Sequence, residues 1–290
     1  LSVLAATILL AYAFTRFVDI PERFLDFSFL GIFIEFQINF QTAISILVAA
    51  LATAGMDWLV QDHPVIQRRE KDLRFQFLSD EAISRLNLGS MRLPILPGSL
   101  QNRIQHWLLP ALTAWVIGVP LSNLANGPEW WAVFALGGGL LILVFVAEYI
   151  VVDVHDSRQP IAASGLTALS FALFLMLSIA LRTAGLRLYL LLPAMALAAG
   201  LVTLRSLYLR LGGKWAFAWT LGITLVIAQI ATGLHYLPLS PLKYGLVLLG
   251  PAYALNAVSA SIQEERIWQN WIAEPLTMLV IVWGLAIWVK

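Results

Sequence analysis

Histidine is the side chain here best suited to chemistry near neutral pH, and three of the four in this 290-residue chain, His63, His106 and His155, fall among carboxylates. With Asp57, Asp62, Arg103, Glu148, Asp153 and Asp156 they gather near the ends of three successive apolar stretches. Imidazole and carboxylate ligands suit zinc or iron, and a vacant coordination position could activate water. The spacing is not that of a metal motif, because neither H-x-x-x-H nor H-E-x-x-H occurs. Asp153 and His155 would point to different sides of a helix, while Glu148 and His155, seven apart, would share one. His106, Glu148 and His155 are thus the residues a metal would use. Solvated loop residues with local capping bonds explain the cluster more simply, so no metal and no cofactor is expected. His235, beside Tyr236 and Pro238, reads as interfacial rather than as a haem ligand.

Other catalytic signatures fail. The chain has no cysteine, which excludes disulfides, thiolate nucleophiles and Cys-ligated metals. It has no aspartate-rich D-x-x-x-D pair, no G-x-S-x-G elbow, no Walker loop and no dinucleotide fingerprint. Gly137, Gly138 and Gly139 read as a place of close helix packing. A net charge of +1 gives no field to recruit nucleic acid.

The elements that must position these residues are membrane helices. Hydrophobic residues make up 60% of the chain and charged ones 12%, far from a soluble composition. Apolar runs suggest nine transmembrane helices, at roughly 1–18, 41–60, 105–124, 130–152, 160–181, 187–209, 214–235, 241–262 and 270–289. They form a single integral membrane domain over 1–290. Leu1 to Val18 has no A-x-A-like cleavage site after it and reads as a retained helix. With the N-terminus inside, the inner connections carry twelve Lys and Arg residues and the outer ones six. That bias places the N-terminus in the cytoplasm and the C-terminus outside, in the plasma (inner) membrane. Trp58, Trp107, Trp215, Trp268 and Trp271 at inner ends, with Trp130, Trp131 and Trp288 at outer ends, read as an aromatic belt.

Two stretches are not spans. Phe27 to Phe40 alternates Glu35, Gln37 and Asn39 with Phe36, Ile38 and Phe40, the period of a strand, and Leu30-Gly31 could turn a short extracytoplasmic β-hairpin. Its strand edges need cover, from its own bundle or from a partner, and Phe33, Phe36 and Ile38 are the partner-contact candidates. The long inner loop, 61–105, carries start and stop signals for an amphipathic helix near Ser79 to Gly89, lying at the headgroups.

The bilayer midplane contains no ionisable residue, whereas pumps and ion-coupled carriers usually keep such residues there. Glu148, Arg205 and Glu274 all lie within about two helical turns of the inner surface. Pro193, Gly250-Pro251 and Gly118 with Pro120 could break helices at mid-depth, and Gln229 and Asn256 could then line a solute path. Three functions follow in order. The first is a non-catalytic accessory or structural subunit of a larger membrane assembly, with the lipid bilayer and other membrane subunits as partners. The second is a carrier or channel for a neutral or lipidic solute. The third is an interfacial enzyme using Glu148, His155, His106 and Arg205 on lipid headgroups.

Overall fold

The computed structural model describes residues 2–15, 23–29, 32–38, 40–68, 98–124, 127–153, 155–264 and 272–289. Among them run nine long helices: α1 (Ser2–Thr15), α2 (Phe40–Gln61), α3 (Gly98–Asn123), α4 (Pro128–Val151), α5 (Gln159–Thr183), α6 (Leu188–Arg210), α7 (Phe217–His235), α8 (Pro241–Gln263) and α9 (Ala273–Trp288). Six stretches, in α2 and α4 through α8, are both long and apolar enough to cross a bilayer. At 14 and 16 residues, α1 and α9 are shorter than the roughly 20 that a perpendicular crossing needs. The first third of α3 is polar. The chain is a multi-pass helical membrane protein.

Helix limits follow local chemistry. Pro128 and Pro241 occupy first-turn positions whose missing N–H would be unbonded anyway. Ser240 caps α8 by accepting the Lys243 N–H at 3.4 Å. After α6 the Gly213 N–H donates back to the Tyr208 carbonyl at 3.0 Å, a closure that requires its φ of +92°. Pro and Gly do not interrupt the helices at mid-depth: α3 runs unbroken through Gly118 and Pro120, α6 through Pro193 and α8 through Gly250-Pro251. Packing accounts for both glycines. A Cβ on Gly118 would stand 2.6 Å from Ser45 Oγ, and one on Gly250 would stand 3.1 Å from the Trp283 ring.

Between α1 and α2, the backbones of β1 (Arg23–Phe29) and β2 (Ile32–Ile38) pair antiparallel, with Asp26 opposite Glu35 and Phe29 opposite Ile32. Two residues, Leu30 and Gly31, separate the strands. The first strand starts four residues earlier than Phe27, and Phe40 belongs to α2, not to the sheet. The expected amphipathic helix near Ser79 lies outside the described residues.

The chain divides into two compact units, Leu1–Gln159 and Pro160–Lys290. In the first, Ile8, Tyr12, Val48, Met56, Leu141 and Phe145 share a core, and the Tyr12 hydroxyl donates to the Ala114 carbonyl. Gly137 and Gly138 are buried where α4 meets its neighbours, and a Cβ on either would lie 2.7 Å from Ile117 or Leu9. In the second, Phe174, Met195, Val202, Ile227, Tyr244 and Leu248 form the core. Large aliphatic side chains face outward in both, including Leu136 at 75% and Ile287 at 83% exposure. A water-soluble protein would pay heavily for such a surface, and a lipid bilayer is its natural environment. Trp130 departs from the belt reading: it is buried and stacks on Phe134 with ring centroids 5.1 Å apart.

Candidate functional site

In the first unit α3 and α4 bring together two residues that stand 42 apart in sequence. His106 Nδ1 lies 2.8 Å from Glu148 Oε2, with both side chains buried. Gln105 Nε2 lies 3.3 Å from His106 Nε2. A tautomer with its proton on Nδ1 satisfies both contacts, because Nδ1–H then donates to the carboxylate while Nε2 accepts from the Gln105 amide. Both ring nitrogens are thereby engaged within the protein. A carboxylate so placed orients the imidazole and fixes which ring nitrogen carries the proton.

His63 sits just beyond α2, nearly buried, with its ring centroid 4.4 Å from that of Tyr149. Its Nδ1 accepts the Val65 N–H at 3.3 Å. Burial pushes the His63 imidazole below the usual histidine range; the Asp153 carboxylate pulls it back up and His106 adds to the lowering. Next to this, Asp57 accepts from the Trp107 indole N–H at 3.1 Å and from the Gln61 amide at 2.5 Å.

His155 does not join them. The helix α4 stops at Val151, so the seven-residue spacing from Glu148 no longer carries a shared face. Asp153 ends the helical path by accepting the His155 N–H at 3.0 Å, and Asp156 accepts the Arg158 N–H at 2.8 Å, two local turns that leave His155 exposed. Among the described residues no group of three or more His, Asp or Glu side chains is arranged to hold a metal.

The second unit has its own polar contacts. Arg210 donates to the Tyr253 hydroxyl at 3.2 Å and to Glu274 at 3.4 Å, while Tyr253 donates to the same carboxylate oxygen at 2.5 Å. Arg182 Nη1 lies 3.3 Å from His235 Nδ1, and the guanidinium donates to the carbonyls of His235 and Leu237, tying the end of α5 to the turn after α7. Arg205 is buried, its guanidinium 5.7 Å from the Tyr208 ring centroid. Asn256 is wholly buried and donates to Thr203 Oγ1 at 3.2 Å and to the Ala252 carbonyl at 3.0 Å. Gln229, the other expected solute-path residue, is exposed on α7. The side chains of Phe33, Phe36 and Ile38 lie outside the described residues.

Sequence reasoning missed Gln105, Tyr149 and the Arg182 partner of His235. The last had a signal, since Arg182 and His235 close two apolar runs on the same expected side. No curated protein and no solved structure matches the chain. A family model described as a protein of unknown function, DUF5656, matches residues 20–289, everything from β1 through α9. On that match the chain belongs to the DUF5656 family of proteins.

Proposed function

We propose that this chain is a non-catalytic integral membrane protein, an accessory or structural subunit of a larger membrane assembly. In this reading all nine helices cross the plasma (inner) membrane, the short ones aided by flanking residues, with the N-terminus cytoplasmic and the C-terminus outside. The observation that carries it is that several hydroxyls within the spans are spent on their own helices. Thr53, Ser170, Ser178, Thr220 and Thr232 each donate to the carbonyl four residues back in their own helix. A hydroxyl spent on its own backbone in this way is satisfied in lipid and offers little to a substrate. The engaged nitrogens of His106 point the same way.

The partner contact in this reading is the β1–β2 hairpin, through Phe33, Phe36 and Ile38. It is a two-stranded sheet, and an isolated pair of strands is marginal in water without packing against something else. The test is affinity purification of the full chain from its own membranes, as wild type and as Phe33→Ser with Phe36→Ser. Loss of the co-purifying membrane proteins from a variant that stays monodisperse supports the reading. Unchanged association removes the hairpin, and a wild-type chain that purifies alone removes the subunit.

One observation favours the carrier reading. Asn256 Oδ1 is buried and makes no hydrogen bond among the described residues, although the amide nitrogen makes two. A buried acceptor of this kind fits water or a neutral polar solute. Solute entry into vesicles that Asn256→Val abolishes would support this reading over the first.

A further inference from the structure

Helix α7 presents an unusual outer face. Trp219, Gly222, Val226, Gln229 and Gly233, with Tyr236 just past its end, are all exposed, and they follow one another at steps of three and four residues. That rhythm is the seam spacing of two parallel helices in a left-handed pair. A Cβ placed on Gly222 or Gly233 would meet no atom within 4 Å, so no described residue of the second unit uses the close approach that these glycines permit. The other close-packed glycines differ, since Gly118, Gly137, Gly138 and Gly245 each stand within 3 Å, by the same measure, of a neighbouring side chain.

Gln229 is the second observation and is independent of the first. It lies six residues before the end of α7, about 9 Å along the axis at 1.5 Å per residue, deeper than its short stem reaches. Its amide makes no hydrogen bond among the described residues and is surrounded on the exposed arc by Leu225, Val226 and glycine. An amide presented to hydrocarbon is costly unless something bonds it. A carboxamide carries a donor and an acceptor side by side, which makes it complementary to itself across a two-fold axis.

We propose that the exposed face of α7 is the seam of a parallel homodimer, in which Gln229 of each copy exchanges hydrogen bonds with Gln229 of the other. Two copies inserted in the same orientation meet about an axis normal to the membrane, so each seam residue faces its own counterpart. Gly222 and Gly233, seven before and four after the central amide, let the backbones close enough for that exchange. The single polar position fixes the register, as one buried polar residue does in a soluble coiled coil. This contact is on a different element from the hairpin and stands independently of the subunit reading.

The absence of cysteine makes the test clean. Gly222→Cys, Val226→Cys and Leu221→Cys are introduced singly into the purified full chain, which is reconstituted into phosphatidylcholine vesicles and mildly oxidised. Leu221 is exposed but lies off the seam, so it reports random collision. Disulfide dimers at 222 and 226 at least about tenfold above 221 are expected, decreasing in the presence of Gln229→Leu and largely restored by Gln229→Asn. For Gln229→Leu alone, dilution with lipid should show a dimer constant weakened about tenfold, within the range of one to two interhelical amide bonds. Equal cross-linking at all three positions, no cross-linking at 222 or 226, or a dimer indifferent to Gln229→Leu overturns the proposal. A seam occupied by another subunit or by the chain's own first unit would give one of those results.

Discussion

In the first unit Glu148 meets His106 where neither side chain reaches solvent, whereas in the second Glu274 meets Arg210 with the carboxylate 55% exposed. Both pairs join a base to a carboxylate within about two and a half turns of a helix end. They differ in what surrounds them. Water screens the Arg210–Glu274 pair and solvates either partner left alone, so its net contribution is small. The His106–Glu148 pair is held by Gln105 on the far side of the ring, and neither member has water to fall back on. A buried pair need not stabilise the fold relative to an apolar one, yet it makes the fold intolerant of losing one half.

The sharpest way to break this comparison is to delete each carboxylate. Glu148→Ala should destabilise the full chain in mild detergent by about 3–5 kcal/mol, because it strands a buried imidazole. Glu274→Ala should cost no more than about 1 kcal/mol, the range of an exposed pair. Unfolding by a graded denaturing detergent, followed by tryptophan fluorescence, reads both. Equal losses would show that burial does not separate the two pairs. A double replacement of His106 and Glu148 by apolar residues that restores most of the loss would locate the penalty in the stranded partner.

A second contrast concerns packing. Gly118→Ala in α3 pushes a methyl group to 2.6 Å from Ser45 Oγ and 3.3 Å from the Tyr12 ring, and Tyr12 is held by its bond to Ala114. Overpacking of this kind costs about 1–3 kcal/mol. Gly284→Ala in α9 meets nothing within 4 Å and should be neutral or stabilising by up to about 1 kcal/mol through helix propensity. The same unfolding assay measures each, and a neutral Gly118→Ala would mean that α1 and α2 can shift away from α3.

These contrasts divide what the residues foretell from what they do not. The limits of α8, expected at 241–262 and found at Pro241–Gln263, were legible because Ser240-Pro241 is itself a start signal. The spans in general follow from apolar length, which needs no knowledge of neighbours. Pairing of His106 with Glu148 depends on α3 packing antiparallel to α4, and periodicity within one helix carries no such information. It was partly inferable, since the connection after Asn123 is short: His106 lies 17 residues before that residue and Glu148 lies 20 after Pro128, similar depths on either side of the turn. His155 misled because a seven-residue spacing has meaning only while the helix lasts, and Asp153 and Asp156 turn the backbone first. Gln229 and Asn256, grouped by being polar within apolar runs, occupy opposite environments, and only packing reveals which faces inward.

The smallest expected effect is pH-dependent and tests whether the buried polar corner of the first unit extends to His63. Burial holds His63 below its unfolded value near 6.5, so the folded protein binds this proton less readily than the unfolded chain. The contribution is therefore fully present above about pH 6.5 and is lost as the pH falls toward the lowered folded value. Asp153 opposes the shift, which keeps the slope shallow. Melting of the full chain in one detergent from pH 8 to pH 5 should decline over the lower part of that range, and His63→Gln, which retains an acceptor for the Val65 N–H, should flatten the decline without changing stability much at pH 8. Asp153→Asn should deepen it, because the carboxylate that favours the charged ring is gone. A profile unaltered by His63→Gln would show that the decline does not come from this histidine and that its burial does not couple to the stability of the unit.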